Sequence, residues 1–380
     1  MSETIDAIKD VCKGISSQVN REYIAACGRK KEAPVKLMQA MADGGLFAIG
    51  VPEEFGGAGG GVTEVCVMLD ELGKSGLLGP RIVTSQMART TIARHGSEEQ
   101  KKRFLPPTAT GEKYFSFAVT EAGAGTNSFL IKTTAAKDGD SYLINGEKAF
   151  ITGIHEADWC LLIARTSKFD AAEKRSGISV FVIDPRTDGI TIKPMDIGLH
   201  MPDKSSMVYL DNVRVPAENL IGAEGAGLEA LFDCLNPERL MSAAINVGLS
   251  DYLLNKAADY ARERAPFGKP IGTYQGVAHP LAIAKARTDA CRALTYQAAA
   301  EYDAGQDAEV ASDSVKFLGA EALKISAEAA MNTFGGSSVD LEVDLIPFLL
   351  WGKFCEIAPL NNNVVLSSIA RSGLGLPKSH

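Results

Sequence analysis

The hydrophobic period changes twice along this chain of 380 residues, and those two changes limit its fold more than any single motif does. Up to residue 113, apolar residues recur at helical spacing. They do so over 36–45 and 61–73, on either side of a PEEFGG turn at 52–57, and again over 80–95. The stretch GSEEQKKRFLPP (96–107) then predicts a short polar helix with a proline stop. From 114 to 222 the pattern becomes short β-rich runs at 142–144, 159–164, 178–183, 190–194 and 206–213, separated by Gly, Asp and Pro. Helical periods return over 227–264, 273–304, 307–332 and 345–371, lengths that suit a four-helix bundle. The expectation is an α+β protein with a helical domain at 1–113, a middle β-barrel or sandwich at 114–222 and a C-terminal helical bundle at 223–380. No internal repeat interrupts this order.

Composition excludes several function classes. Hydrophobic residues make up 46% and charged residues 23%, yet no run reaches the about 18 apolar residues that a membrane span needs. The first residues, MSETIDAIKDVCKGI, mix charges along a helical pattern and do not resemble a secretory leader, so a cytoplasmic location is expected. Seven cysteines (12, 27, 66, 160, 234, 291 and 355) form no C-x-x-C pair, which argues against a zinc cage or disulfide frame and for reduced core residues. A net charge of −8 and the lack of a basic run with interleaved aromatics disfavour nucleic acid as a partner.

Chemistry is expected where YFSFAVTEAGAGTNS (114–128) carries an apolar strand into a glycine turn. Phe115, Phe117 and Val119 alternate as a half-buried strand does, and residues 122–125 are small enough for a ligand to approach the backbone. Thr120 offers both a donor and an acceptor. Taken alone, a strand with a tight turn and no ligand is the preferred reading of this stretch. The motifs VPEEFGGAG (51–59), GSEEQKKRFLP (96–106), FAVTEAGAGTN (117–127), LINGEKAFITG (143–153), PERL (237–240), RERAPFGKPIGTYQ (262–275) and FGG (334–336), together with the helical, β, helical order, resemble the acyl-CoA dehydrogenase family over nearly the whole chain. That resemblance implies FAD held between the β domain and the bundle, usually in a dimer of dimers, desaturation of an acyl-CoA thioester, and electrons passed to an electron-transfer flavoprotein.

The resemblance also assigns residues. Thr120, on the strand with Phe117, would meet the pyrimidine side of the flavin. Phe150, where the family more often has tryptophan, would stack on the ring, and Thr152 would contact N5. Thr126 would reach the FAD phosphates in place of a serine. Arg264, Phe267 and Gln275 match positions that hold the FAD of a neighbouring subunit, and Asn332, Gly335 and Gly336 match a Q-x-x-G-G motif on its adenine side. The reaction needs a base for the α proton. At the commoner family position this chain has Pro359, which also lacks the N–H that helps polarise the thioester carbonyl; Ala358 or Leu360 would restore it after a one-residue shift. The other family position is Glu238, before Arg239, which is expected on the substrate. Local sequence alone reads Glu238 as a first-turn acid behind an N1 proline, Pro237. Glu356 is the next candidate base. Asn361, Asn362 and Asn363 replace the family's T-S-E. Arg81 and Arg89 on helix 80–95 are expected to meet a polar acyl tail, or else to lie on a solvated face. Two alternatives stay open: a reductase, desulfinase or monooxygenase on the same fold, and a non-catalytic partner subunit in a heteromer with a paralogue.

Overall fold

The structure, a computed structural model, describes residues 2–77 and 79–377 and all of their side chains but those of Ser2 and Cys234. Six helices come first: α1 (Ser2–Gln18), α2 (Arg21–Lys30), α3 (Val35–Asp43), α4 (Val62–Lys74), α5 (Pro80–His95) and α6 (Glu98–Ala109). Strands follow as β1 (Phe115–Ala118), β2 (Thr134–Asp138), β3 (Ser141–Thr152), β4 (Trp159–Arg165), β5 (Ile178–Ile183), β6 (Ile190–Pro194), β7 (Ser205–Pro216) and β8 (Leu220–Ile221). Helices α7 (Gly227–Glu263), α8 (Gln275–Asp303), α9 (Glu309–Phe334), α10 (Ile346–Cys355) and α11 (Asn362–Ser368) complete the chain, α11 running into a π turn over Ile369–Gly373. Contacts divide these elements into two compact units, one of Met1–Ala26, Gly61–Leu78 and Asn236–His380, the other of Cys27–Gly60 and Gly79–Leu235. The first 113 residues therefore contribute to both.

The second unit is built on one sheet in the order β6-β7-β3-β2-β4-β5-β8, with β1 parallel to β4. Tyr142, Ile144, Leu162, Phe181, Val208 and Val213 fill its core. The apolar runs expected as strands all lie in strands, and β2 and β8 are additional. β2 reads TAAKD, too polar for a hydrophobic signal; it is created by the two-residue turn at Gly139 and Asp140, where Gly139 takes a φ of 64°. The proline stop expected after residue 105 does not occur. α6 runs through Pro106 and Pro107 to Ala109, because prolines near a helix end remove hydrogen bonds there only from carbonyls that water can serve.

The first unit packs helices closely through small residues. A Cβ on Gly248 would stand 2.3 Å from the Asp70 carbonyl oxygen, and one on Gly319 would stand 3.0 Å from Ala243 Cα. Larger side chains would force α4 from α7 and α9 from α7. Fully buried Asp70 is met by Arg292 at 2.8 Å and by the Tyr296 hydroxyl at 2.6 Å, so its charge is compensated. The helix expected over 345–371 is interrupted between α10 and α11. Pro359 lies in the break, since it lacks an N–H and turns the residue before it away from helical angles. Six cysteines are free and buried, as expected, while the side chain of Cys234 lies outside the described residues. Among the described residues no helix is long and apolar enough to cross a membrane, and no group of three His, Cys, Asp or Glu could hold a metal.

Gly61 precedes α4 with no side chain to cap it, so the cap comes from the end of α8. Asp303 accepts the N–H groups of Val62 and Thr63, both at 2.8 Å, and the Thr63 hydroxyl at 2.6 Å. Replacing it leaves those donors to water. Asp303→Ala is expected to lower stability by about 1–2 kcal/mol, the range for loss of a helix N-cap, read as the shift in chemical denaturation midpoint; an unchanged midpoint would refute the cap.

Candidate active site

The end of β1 is tied to β3 by a buried ion pair. Lys148 has no exposed surface and donates to Glu121 at 2.8 Å and to the Val119 carbonyl at 3.1 Å. Glu121, also buried, accepts the N–H groups of Lys132 (2.6 Å) and Thr133 (3.0 Å). Burial pushes Lys148 down to about 8, with Glu121 pulling it back up. Burial alone would raise the Glu121 carboxyl, but Lys148 and the hydrogen bonds outweigh it and hold it below the usual range. Both groups are charged at neutral pH. The neighbouring Ala149 N–H donates to Thr120 C=O at 2.9 Å, which sets Thr120 beside the next residue of β3, Phe150.

Phe150 is held in an unusual backbone. The β3–β7 register shifts between Lys148 and Ile151, and at this bulge Phe150 adopts φ 60° with 57% of its surface exposed. A bulky residue rarely enters the left-handed region, at a cost of about 1–2 kcal/mol. The bulge therefore aims an aromatic ring outward where a regular strand would not. Thr152 is half-buried at the end of β3, Phe117 is half-buried opposite Leu161, and Thr126 is exposed beyond a tight turn closed by Glu121 and Ala124.

The two arginines of helix α5 expected on a polar acyl tail or a solvated face are both buried and bonded within the protein, so the solvated face is excluded. Arg81 is buried, with its Nε 2.5 Å and its backbone N–H 3.0 Å from Asp203, and Glu156 3.3 Å away. It clamps the loops that follow Thr152 and precede β7, where Gly153 N–H donates to Lys204 C=O at 2.8 Å. Arg89 is buried too and donates to the carbonyls of Phe47 and Thr108 and to the Gln86 side chain. Burial lowers it to about 10. The eight-residue spacing puts both on one face of α5, and that face is the inner one; Val83 and Thr84 are half-buried instead.

In the first unit the remaining cofactor motifs gather at one helix end. The Tyr260 ring stacks on Phe334 with centroids 4.2 Å apart, which joins the ends of α7 and α9. Arg264, Phe267 (83% exposed) and Gln275 follow from α7, and Asn332, Gly335 and Gly336 from α9, all exposed. Arg264, Gln275 and Asn332 make no side-chain hydrogen bond among the described residues.

Glu238 is not in a first helical turn. Pro237 lies inside the 37-residue α7, so the capping explanation of this glutamate fails. Glu238 is half-buried, and among the described residues it has no hydrogen-bond or ion-pair partner. Loss of hydration pushes its carboxyl up to about 7, against the pull of Arg239 and Lys316. Arg239, expected on the substrate, is buried 2.8 Å from Asp313 and donates to Asn236 at 3.0 Å. A buried guanidinium needs such a counter-charge, and α9 supplies it. Glu356 is a poor base by contrast. It bridges Lys324 at 3.0 Å and Lys353, and these lysines hold its carboxyl below the usual range.

Around Pro359 the asparagine run is structural. Asn361 caps α11 by accepting the Asn363 N–H at 2.9 Å, and Asn362 accepts from buried Lys316 at 2.6 Å. Ala358 N–H is committed to Phe354 C=O at 2.9 Å, whereas Leu360 N–H has no acceptor among the described residues. Sequence reasoning missed Lys316, Asp313 and Lys148. The signal for Lys316 was available: it interrupts the stripe of Ser312, Gly319, Ala320 and Leu323, which helical spacing places on one buried face.

Residues 2–112, 116–213 and 225–374 match the models of the acyl-CoA dehydrogenase N-terminal, middle and C-terminal domains. The chain is 35% identical over 382 residues to acyl-CoA dehydrogenase FadE12 of Mycobacterium tuberculosis, covering 100% of this chain and 98% of that protein. Its fold is similar to butyryl-CoA dehydrogenase from Megasphaera elsdenii (TM-score 0.93, 26% identity, 98% and 99% of the two chains) and to the FAD complex of PigA (TM-score 0.91, 29% identity, 99% and 98%). The chain belongs to the acyl-CoA dehydrogenase family.

The left-handed backbone at Phe150 is separable from its ring. In most strands glycine is the less stable of the pair Gly and Ala, but here only glycine fits φ 60° without strain. Phe150→Gly is expected to be more stable than Phe150→Ala by about 1 kcal/mol, measured by chemical denaturation of both variants. The ordinary order, alanine above glycine, would mean that the bulge relaxes.

Proposed function

We propose that this chain is an FAD-dependent acyl-CoA dehydrogenase in which Glu238 removes the α proton of an acyl-CoA thioester. The observation that carries the reading is the state of its two candidate bases. Glu238 is partly desolvated and unpartnered, while Glu356 is bound to two lysines. An unpaired carboxylate at about 7 keeps a free lone pair near neutral pH and gains driving force for proton transfer over one in water. Leu360 N–H is the backbone donor available to the thioester oxygen, in place of the N–H that Pro359 lacks.

The residues present fit FAD. An exposed aromatic ring on a bulge, flanked by the hydroxyls of Thr120 and Thr152, suits a flat heteroaromatic ligand, with Phe117 behind the strand and the exposed Thr126 beyond the turn. When bound, FAD supplies the acceptor for the hydride that leaves the β carbon. Arg264, Phe267, Gln275, Asn332, Gly335 and Gly336 are free to serve the FAD of a second subunit, and the planar guanidinium of Arg264 suits a pyrophosphate. The proposed assembly is a homotetramer, or a heteromer with a paralogue, in the cytoplasm, and the proposed electron acceptor is an electron-transfer flavoprotein.

Glu238→Gln keeps shape and removes basicity. FAD content is expected to survive while anaerobic flavin bleaching by acyl-CoA falls by at least ~10²-fold, the lower end of a general base's contribution. Because the base must be ionised, the wild-type bleaching rate should rise with pH through about 7. Near-normal bleaching in the Gln variant, across straight, branched and dicarboxylic acyl-CoA substrates, would place the base elsewhere.

A further inference from the structure

The polar cluster around Glu238 contains more charge than the proposed reaction uses. α7 contributes Glu238 and Arg239, α9 contributes Asp313 and Lys316, α10 contributes Cys355 and α11 contributes Asn362. Farther out, Glu309 and Arg371 pair with each other at 3.5 Å and act on Asp313. Burial pushes the Cys355 thiol up to about 12, so it is neutral and donates to Asn246 at 3.5 Å. Arg239 is matched by Asp313 at 2.8 Å. Two groups are left. Lys316, 1% exposed, has only the neutral Asn362 amide as a hydrogen-bond partner and no carboxylate within ion-pair distance. Glu238 has no cation within that distance.

The helix packing makes this pairing of remainders specific. Asp313 lies beside Arg239 and Gly319 lies against Ala243, so α9 and α7 run alongside each other in the same direction over these residues. Lys316 falls between the two contacts, one turn along from the Arg239–Asp313 pair and on the same buried stripe. A buried ammonium without a counter-charge is expensive; of the two carboxylates that act on Lys316, Asp313 is already held by Arg239, which leaves Glu238 as the one without a cation.

We propose that Lys316 is a positioning residue for the base: its ammonium is the counter-charge of the Glu238 carboxylate, and its bond to Asn362 fixes the start of α11 beside it. This rests on the reading of Glu238 as the base. Burial lowers Lys316 to about 8, with Arg239 adding to the fall and the carboxylates of Glu238 and Asp313 pulling it upward, so the ammonium persists at neutral pH. Its field favours the ionised form of Glu238. Removing the charge must therefore raise the pH at which the base becomes active.

The test is the pH profile of anaerobic flavin bleaching, with whichever of butyryl-, octanoyl- and isovaleryl-CoA reduces the wild type fastest. Lys316→Gln keeps a donor for Asn362 and loses the charge. Its acid limb should move up by about one pH unit, the lower end of a nearby charge's effect. Bleaching then falls about tenfold below neutral pH and little above pH 8, at unchanged FAD content. Lys316→Arg should return the limb to the wild-type position. An unmoved limb, or a loss equal at every pH, would overturn the proposal, because a merely structural lysine moves no limb. Should the Gln variant fail to fold, Lys316→Met replaces it, since an apolar side chain of similar length fills the buried space without a polar group that needs a partner there; the same limb decides. A Glu238→Gln variant that bleaches normally would sink the base assignment itself, which separates the two failures.

Discussion

A lysine sealed from water constrains the sheet unit. Lys148 has no exposed surface, and an isolated ammonium there would lose several kcal/mol of hydration, so its position on β3 is tenable only where a carboxylate reaches it. Glu121 does so from the turn after β1, and the N–H groups of Lys132 and Thr133 complete its shell. Three segments far apart in sequence thus converge on one carboxylate. That fixes the backbone on both sides of Phe150, which is why a phenylalanine can be kept at φ 60°. The strain is local and the constraint that sustains it is electrostatic.

The helical unit uses charge differently. Three sets of buried charges there are paired: Asp70 with Arg292, Arg21 with Asp344 at 2.7 Å, Arg239 with Asp313. Such pairs are close to neutral for stability but strongly unfavourable to break. Glu238 departs from the pattern because it is half-buried and unpartnered, and its raised carboxyl follows from that. Perturbed carboxylates cluster at functional sites for this reason: an environment that denies a partner and withholds water makes a better base and a less stable protein.

How much was legible in the sequence depended on the range of the interaction involved. Helical period placed α5 and α9, and the apolar runs of β4 and β5 read as strands, because in each the signal is a local repeat. The family motifs marked Phe150, Thr120 and Glu238 as candidates. Sequence could not foresee where Arg81 and Arg89 point, since helix spacing says that they share a face and not which face is inward; Asp203, 122 positions away, decides it for Arg81. Local reading also erred at two prolines. Pro107 and Pro237 were expected at helix boundaries, yet both lie inside helices: Pro107 stands in the last turn of α6, where water can serve the freed carbonyl, and packing along the 37 residues of α7 outweighs the hydrogen bond missing at Pro237.

The segment at 356–363 ties these points to one substitution. A proline at 359 removes a carboxylate and a backbone donor at once, and it breaks what would otherwise be a continuous last helix. The break frees the N–H of Leu360 and creates a helix start at Asn362, which a long helix would not have offered to Lys316. Asn361 stabilises that start as its cap. With no acid at 359, the inner charges of this cluster, inside the Glu309–Arg371 pair, are two cations, Arg239 and Lys316, and two carboxylates, Asp313 and Glu238. A third carboxylate in that cluster would compete for Lys316 and raise the carboxyl of Glu238 further. Under the proposed role of Glu238, a proline at 359 and an unpartnered carboxylate at 238 form a single electrostatic arrangement, since each makes the other tolerable.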